Sequence, residues 1–242
     1  MQTEQIPTGA AAPLWQTQLP GRPLSGLTVL VVEDSRFSSE ALRLLCLRSG
    51  ARIRRADSLR AAMRHLKTYR PSVLIVDMGL PDGSGAELIH RVRGMASNAP
   101  ATLAISGDPA TRDEAMAAGA LGFLEKPIDS LAAFQQAVLQ ALPPHALPRG
   151  PRLLPDDTVT PDLAALRDDL AHVAAILSGD ADPASIDYVA RFLTGIARSS
   201  HDLPLAEAAE ALSQQQDAGR ATGQDLKRLS GLVHARLAAG CA

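Results

Sequence analysis

Three carboxylates, a hydroxyl and an amine stand at the ends of short apolar runs. "LTVLVVE" closes on Glu33 and Asp34, "SVLIVD" on Asp77, "ATLAIS" on Ser106, and "LGFLEK" on Lys126, followed by Pro127. A single Asp at the end of a strand is an ordinary turn former, as is a single Ser. Brought together, three carboxylates repel one another, and some of them must take up a proton or a cation. Mg2+ suits such a set: it prefers oxygen ligands, keeps several waters and accepts one or two carboxylates plus a phosphate oxygen. A lysine and a hydroxyl beside it could hold the remaining oxygens of a phosphoryl group. The chemistry these groups could perform is phosphoryl transfer onto a carboxylate.

The elements that would position them follow from periodicity. From Leu27 to Leu142 five apolar strands alternate with helical patterns near 36–49, 58–69, 85–95, 110–118 and 129–141. Such βα alternation predicts an α/β fold, a doubly wound five-stranded parallel sheet with helices on both faces. "ARIRRA" alternates charge with apolar residues and belongs at an edge. In such a sheet ligands sit beyond the carboxyl ends of the strands, where the five chemical residues lie.

Residues 1–26 read as a flexible Gln/Pro/Ala-rich leader with Trp15 in it, and 143–159 as a proline-rich linker. Beyond it the period becomes helical, with four apolar stripes between 160 and 240 that read as an all-α four-helix bundle. Thr160-Pro161 and Asp182-Pro183 are placed to start helices, Asp202 to cap the third, and Thr222 with Asp225 to form a capping box; Gly179, Gly219 and Gly240 are placed to end them.

Composition narrows the partners. The 242 residues carry 24 basic and 26 acidic side chains, a net charge of -2, which makes no case for nucleic acid or an anionic membrane. From Pro151 onward eight basic residues face thirteen acidic ones, the wrong balance for a DNA-binding output domain. No apolar run reaches membrane-spanning length, and the first residues lack a basic start followed by an apolar stretch. Cys46 and Cys241 have no metal-type spacing and read as reduced thiols. The expected setting is cytoplasmic.

The acidic pair in "VVEDS", the loop "VDMGLPDGSG", and then "AISG" and "GFLEKP" resemble, in order and spacing, the receiver domain of two-component response regulators over residues 27–142. By that resemblance Asp77 is the phosphoacceptor. Asp34, Asp77 and the Gly79 carbonyl hold Mg2+, with Glu33 helping through water. Ser106 and Lys126 stabilise the phosphoryl group, Lys126-Pro127 is a cis bond, and Phe123 occupies the aromatic switch position. Gly79 offers no shield against water, so the resemblance implies a short-lived acyl phosphate.

"YVARFLTGIARSSHDLPLAEAAEAL" resembles the core of histidine phosphotransfer (HPt) domains over roughly 160–240. Leu193, Gly195 and Ala197 match, but Arg191 stands where the phosphorylated histidine belongs. A guanidinium stays protonated and accepts no phosphoryl at neutral pH. The degenerate pattern at Arg191 and Gly195 implies a helical domain that binds partners without relaying phosphate. "SSHDLPL" resembles the H-box of histidine kinases, which leaves His201 as an alternative phosphorylated station. His172 reads as a helix-surface residue. The expected protein is a response regulator, phosphorylated by a sensor histidine kinase or phosphotransfer protein, with output through another regulator or self-association. A Mg2+-dependent aspartyl-phosphate phosphatase is the alternative, although Gly79 stands where such enzymes carry a second acid.

Overall fold

A computed structural model describes residues 21–95, 99–147, 155–179, 182–218 and 223–239. Trp15, Gly219, Thr222, Gly240 and Cys241 lie outside the described residues.

Strands β1 (Thr28–Val32), β2 (Arg52–Ala56) and β3 (Val73–Asp77) are separated by α1 (Arg36–Arg48) and α2 (Leu59–Thr68). A two-residue hairpin, β4 (Gly79–Leu80) with β5 (Gly83–Ser84), leads into α3 (Gly85–Arg93). Then come β6 (Ala101–Ser106), α4 (Arg112–Ala118), β7 (Gly122–Glu125) and α5 (Leu131–Ala141). The five long strands pair in parallel in the order β2-β1-β3-β6-β7. β1, β3 and β6 are central, and from Val29 through β1, and throughout β3 and β6, they are buried on both faces; β2, which carries the arginines, is the edge the sequence predicts. One apolar layer packs α1 and α5 against the sheet, and the other packs α2 and α3.

Local chemistry sets the helix starts. Ser35, Ser58, Ser84 and Ser130 stand at the N-caps of α1, α2, α3 and α5, and each side chain accepts a hydrogen bond from a first-turn N–H. The turn after Asp77 depends on Gly85: a Cβ there would lie 2.1 Å from the Asp77 carbonyl oxygen. The apolar strand therefore breaks sharply after Asp77. The chain doubles back as a hairpin and passes close beside the strand it has just left, which leaves the Asp77 side chain at the sheet's edge.

Two expected boundaries move. The leader was placed to residue 26, yet Leu24 is fully buried in the α1/α5 layer and its N–H bonds the Ser49 carbonyl. An apolar side chain in an otherwise polar segment fills the bottom of the core. The linker was placed to residue 159, yet Val159 is buried in the same layer, and the 157–159 backbone bonds Leu131 and Asp129.

The C-terminal region is mostly helical: α6 (Leu163–Leu177), α7 (Pro183–Ser199), α8 (Leu203–Asp217) and α9 (Gly223–Ala239). Leu170, Val173, Leu193, Leu212, Leu229 and Val233 from all four share one apolar cluster. Asp162, Asp182 and Asp202 are the N-caps of α6, α7 and α8. The first helix thus starts two residues after the expected Thr160, because Asp162 supplies the capping oxygen. No helix among the described residues is long and apolar enough to cross a membrane.

Candidate functional site

The parallel register brings the strand ends level. Val32 pairs with Val76, Asp77 with Ile105 and Ser106 with Glu125, so the residues that follow β1 and β7 and end β3 and β6 share one edge. Carboxylate oxygens of Glu33, Asp34 and Asp77 lie within 4.8 Å of one another. Lys126 reaches between them, its Nζ 2.8 Å from Glu33 Oε2 and 2.9 Å from Asp77 Oδ1. Gly79 N–H donates to Asp77 Oδ2 at 3.1 Å. The Ser106 hydroxyl accepts from the Asp108 N–H and lines the same cavity. The Lys126-Pro127 bond is cis.

The electrostatics are those of acids short of positive charge. Burial raises Glu33 well above the usual carboxylate range; Lys126 opposes this, and Asp77 and Asp34 add to it. Asp34 is pushed up to about 7, first by burial and then by the charge of Asp77. For Lys126 burial works to lower the pKa, but the charges of Asp77 and Glu33 hold it above its ordinary value. One ammonium thus serves three carboxylates. Asp34 Oδ1 is buried with no hydrogen-bond partner among the described residues. An orphaned anionic oxygen beside two more carboxylates fits a hard divalent cation. Glu33, Asp34 and Asp77 could hold one.

The structure therefore brings together Glu33, Asp34, Asp77, Gly79, Ser106 and Lys126. Phe123 lies elsewhere: it packs on the α2/α3 layer, half-buried, with the Arg112 guanidinium 4.6 Å above its ring. His201 is also apart, in the α7–α8 junction with a left-handed backbone (φ 57°), exposed, its Nε2 3.4 Å from Asp129 Oδ2.

Helix α7 covers the acid pocket. Arg191 and Gly195 line its cavity of about 490 Å3 together with Asp77 and Lys126. A Cβ on Gly195 would stand 3.3 Å from Lys126 Nζ, and one on Gly107 would stand 2.8 Å from the Gly195 Cα. The Arg191 guanidinium pairs with Asp187, one turn earlier.

Two residues of this cover were not singled out from the sequence. Tyr188 donates its hydroxyl to Asp34 Oδ2 at 2.8 Å. Burial and the nearby Asp34 charge raise the phenol's pKa, so it stays a donor. Asp169, from α6, is buried; its Oδ2 accepts from the Ser35 hydroxyl (2.8 Å) and the Phe37 N–H (3.0 Å), and its Oδ1 from the Arg36 N–H (3.0 Å). It caps a helix of the other region, where an acid is favoured by the exposed N–H groups and the helix dipole. The available signal was spacing. Tyr188, Arg191, Gly195 and Arg198 recur at three, four and three residues, which puts them on one face of α7.

Known proteins share this pocket-bearing half. Residues 29–138 match the family model described as the response regulator receiver domain. Residues 29–138 are a response regulator receiver domain. The KDP operon transcriptional regulatory protein KdpE of Escherichia coli K12 is 32% identical over 138 residues, covering 57% of this chain and 61% of that protein. The transcriptional regulatory protein FixJ of Rhizobium meliloti is 30% identical over 107 residues, 44% of this chain and 52% of that protein. Among solved structures, the N-terminal part of FixJ covers 48% of this chain and 94% of its own at 29% identity (TM-score 0.43). The chemotaxis response regulator CheY4 of Vibrio cholerae covers 47% and 98% at 30% identity (TM-score 0.42). The chain spans about half the length of the curated relatives it matches.

Proposed function

We propose that the chain is a response regulator whose Asp77 takes a phosphoryl group from a partner phosphohistidine with Mg2+, and whose helical region acts by protein–protein contact. The observation that carries this is the convergence of Glu33, Asp34, Asp77 and Lys126 on one buried edge, with one carboxylate oxygen left unpartnered. When bound, Mg2+ neutralises the crowded acids and ligates a phosphoryl oxygen. Asp34 and Asp77 would hold it. An Asp77 carboxylate oxygen attacks phosphorus, the bond from phosphorus to the donor nitrogen breaks, and the donor imidazole keeps that electron pair. Lys126 moves from pairing two carboxylates to pairing the new phosphoryl charge, and the Ser106 hydroxyl donates to a phosphoryl oxygen. Gly79 presents no side chain over the acyl phosphate, which favours fast hydrolysis. The chain is thus a phosphoacceptor rather than a turnover enzyme.

The helical region is read as a four-helix bundle of HPt shape that has lost its acceptor. Arg191 supports this: its guanidinium carries no nucleophilic lone pair. Sensor kinases or phosphotransfer proteins are the expected donors.

The test is labelling by acetyl phosphate with Mg2+, read by intact mass and by lability in base. Wild type should gain one phosphoryl, Asp77→Asn should gain none, and His201→Ala should label as wild type. Labelling that persists in Asp77→Asn overturns the assignment.

A further inference from the structure

The helical region does more than sit beside the receiver: one face of α7 closes over the acid pocket and engages one of its candidate ligand carboxylates. Tyr188 spends its hydroxyl proton on Asp34 Oδ2, an oxygen of the residue that would hold the cation. Three residues further on, Arg191 stands over Gly79, whose Cβ position would be 3.7 Å from the Arg191 Cβ. At Gly195 the helix backbone comes down on Gly107 so closely that Gly107's missing Cβ is what permits the contact, and a Cβ on Gly195 itself would stand 3.3 Å from Lys126 Nζ. At the end of the helix Arg198 Nη1 lies 3.3 Å from Glu125 of β7. Asp169 fastens the same region to the start of α1, within three residues of Asp34. The contacts are polar, small-residue and charge-matched, unlike the Leu- and Val-rich seam that joins α6 to α9.

From this geometry we infer that the face of α7 carrying Tyr188, Arg191, Gly195 and Arg198 is a docking surface for the chain's own receiver, and that docking and divalent-metal loading of the acid pocket oppose each other. The inference rests on the phosphoacceptor reading only for the identity of the metal-holding residues. A carboxylate oxygen engaged by a phenol is a poorer ligand, and a cation on Asp34 withdraws the acceptor that Tyr188 uses. Two ligands that share one carboxylate bind with a coupling free energy, and the coupling is reciprocal. The metal therefore favours the released state, and release favours the metal. Docking also places Arg191 and Gly195 of α7 in the cavity that Asp77 lines, which a phosphohistidine donor would have to enter.

The full chain can be driven to either state. Gly195→Leu places a bulky side chain against Lys126, whose Nζ would lie 3.3 Å from its Cβ, and, at a helical position, raises helix propensity, so α7 itself is retained. Ser38 and Ser199 have their Oγ atoms 3.3 Å apart across the two regions, so Ser38→Cys with Ser199→Cys, in a Cys241→Ser background, fixes the docked state on oxidation. Tyr188→Phe removes only the shared hydroxyl.

Mg2+ affinity is read by calorimetry, and docking by hydrogen exchange of the Arg36 and Phe37 amides that Asp169 holds. Gly195→Leu should speed exchange of these amides and bind Mg2+ at least about fivefold more tightly than the oxidised double-cysteine variant, the lower end of ordinary coupling. Tyr188→Phe should also bind more tightly than wild type. Equal Mg2+ affinity in the opened and crosslinked forms overturns the proposal, as does weaker binding in Tyr188→Phe, which would make the phenol a support for Asp34 rather than a competitor. Acetyl phosphate labelling keeps the two readings apart. If Mg2+ affinities diverge while Asp77 stays unlabelled in every form, docking stands and the phosphoacceptor reading falls.

Discussion

At the sheet edge three carboxylates gather within 4.8 Å of one another around an ammonium, whereas the helix facing them offers Arg191, a guanidinium that accepts no phosphoryl at neutral pH. The two surfaces fit each other closely enough for Gly107 to meet Gly195 backbone to backbone. Only one of them holds groups that could take part in phosphoryl transfer. Shape recognition and chemistry are thus separable: a helix can pack closely on an acid pocket through a small residue without carrying an atom that would react. The charges divide in the same way. The acid edge is arranged so that its members destabilise one another until a cation or proton arrives, while the charged residues of the helical region are paired in the ordinary manner, as Arg198 with Glu210 and Arg236 with Asp202.

The largest effect should come from Lys126, the cation that the edge depends on. It is buried, and it bridges Glu33 and Asp77. Lys126→Met keeps the stem and removes the charge, leaving buried carboxylates without a partner, a change that costs about 3–5 kcal/mol in comparable sites. Urea unfolding at pH 7.5 without Mg2+ should show that loss in the receiver. Added Mg2+ should recover much of it by binding the native state. A loss below about 1 kcal/mol would mean that the carboxylates are already neutralised by protons, and the contrast drawn between the two regions would weaken.

Next comes the independence of the two cores. Leu193 is fully buried in the cluster shared by α6 to α9 and belongs to neither apolar layer of the sheet. Leu193→Ala should destabilise the helical region by about 2–5 kcal/mol. Acetyl phosphate labelling of Asp77 should continue, because the edge is built from β1, β3, β6 and β7 alone. Loss of labelling together with the helical region would show that the receiver needs its cover in order to fold, and the comparison would have to be redrawn.

Much of this was legible in the sequence, for reasons that differ by residue. Central strands buried on both faces read as continuous apolar runs, so β1, β3 and β6, with the acids that follow β1 and end β3 and the serine that ends β6, were found directly. The hairpin after Asp77 was visible as Gly, Pro and Gly, though its closeness to the strand depends on Gly85, which only backbone geometry exposes. Leu24 and Val159 were missed because a lone apolar residue in a polar or proline-rich segment has no period to betray it. Tyr188 and Asp169 were missed for a deeper reason. Each acts on a residue more than a hundred positions away. Local pattern can place Tyr188 on the same helix face as Arg191, but it cannot say that the face meets Asp34.

The smallest expected effect tests the sign of the charge contrast. Asp202 caps α8, accepting from the Leu205 N–H, and receives both Nε and Nη2 of Arg236, at 2.7 and 3.0 Å. Chiefly through the Arg236 hydrogen bonds, its carboxyl is held below the usual range. A folded-state pKa below the unfolded value means that the unfolded chain binds protons more readily through that window. The stabilisation is therefore present above the ordinary Asp pKa of about 3.9 and fades as pH falls through the lower folded value. Glu33 and Asp34, raised by burial, have the opposite sign: their native state holds protons more tightly, so they cost stability as pH rises. Asp202→Asn keeps an acceptor at the cap and removes the charge, so it should lose only about 0.5–1 kcal/mol at pH 7. Asp202→Ala, which removes the cap as well, should lose about 1–2 kcal/mol. Thermal melts of the helical region across pH 2.5 to 7 should show wild type and Asp202→Asn converging at the acid end. If the gap instead persists unchanged at pH 2.5, the Arg236 pair is not what separates them, and the ordinary pairing attributed to this region would fail at its clearest example.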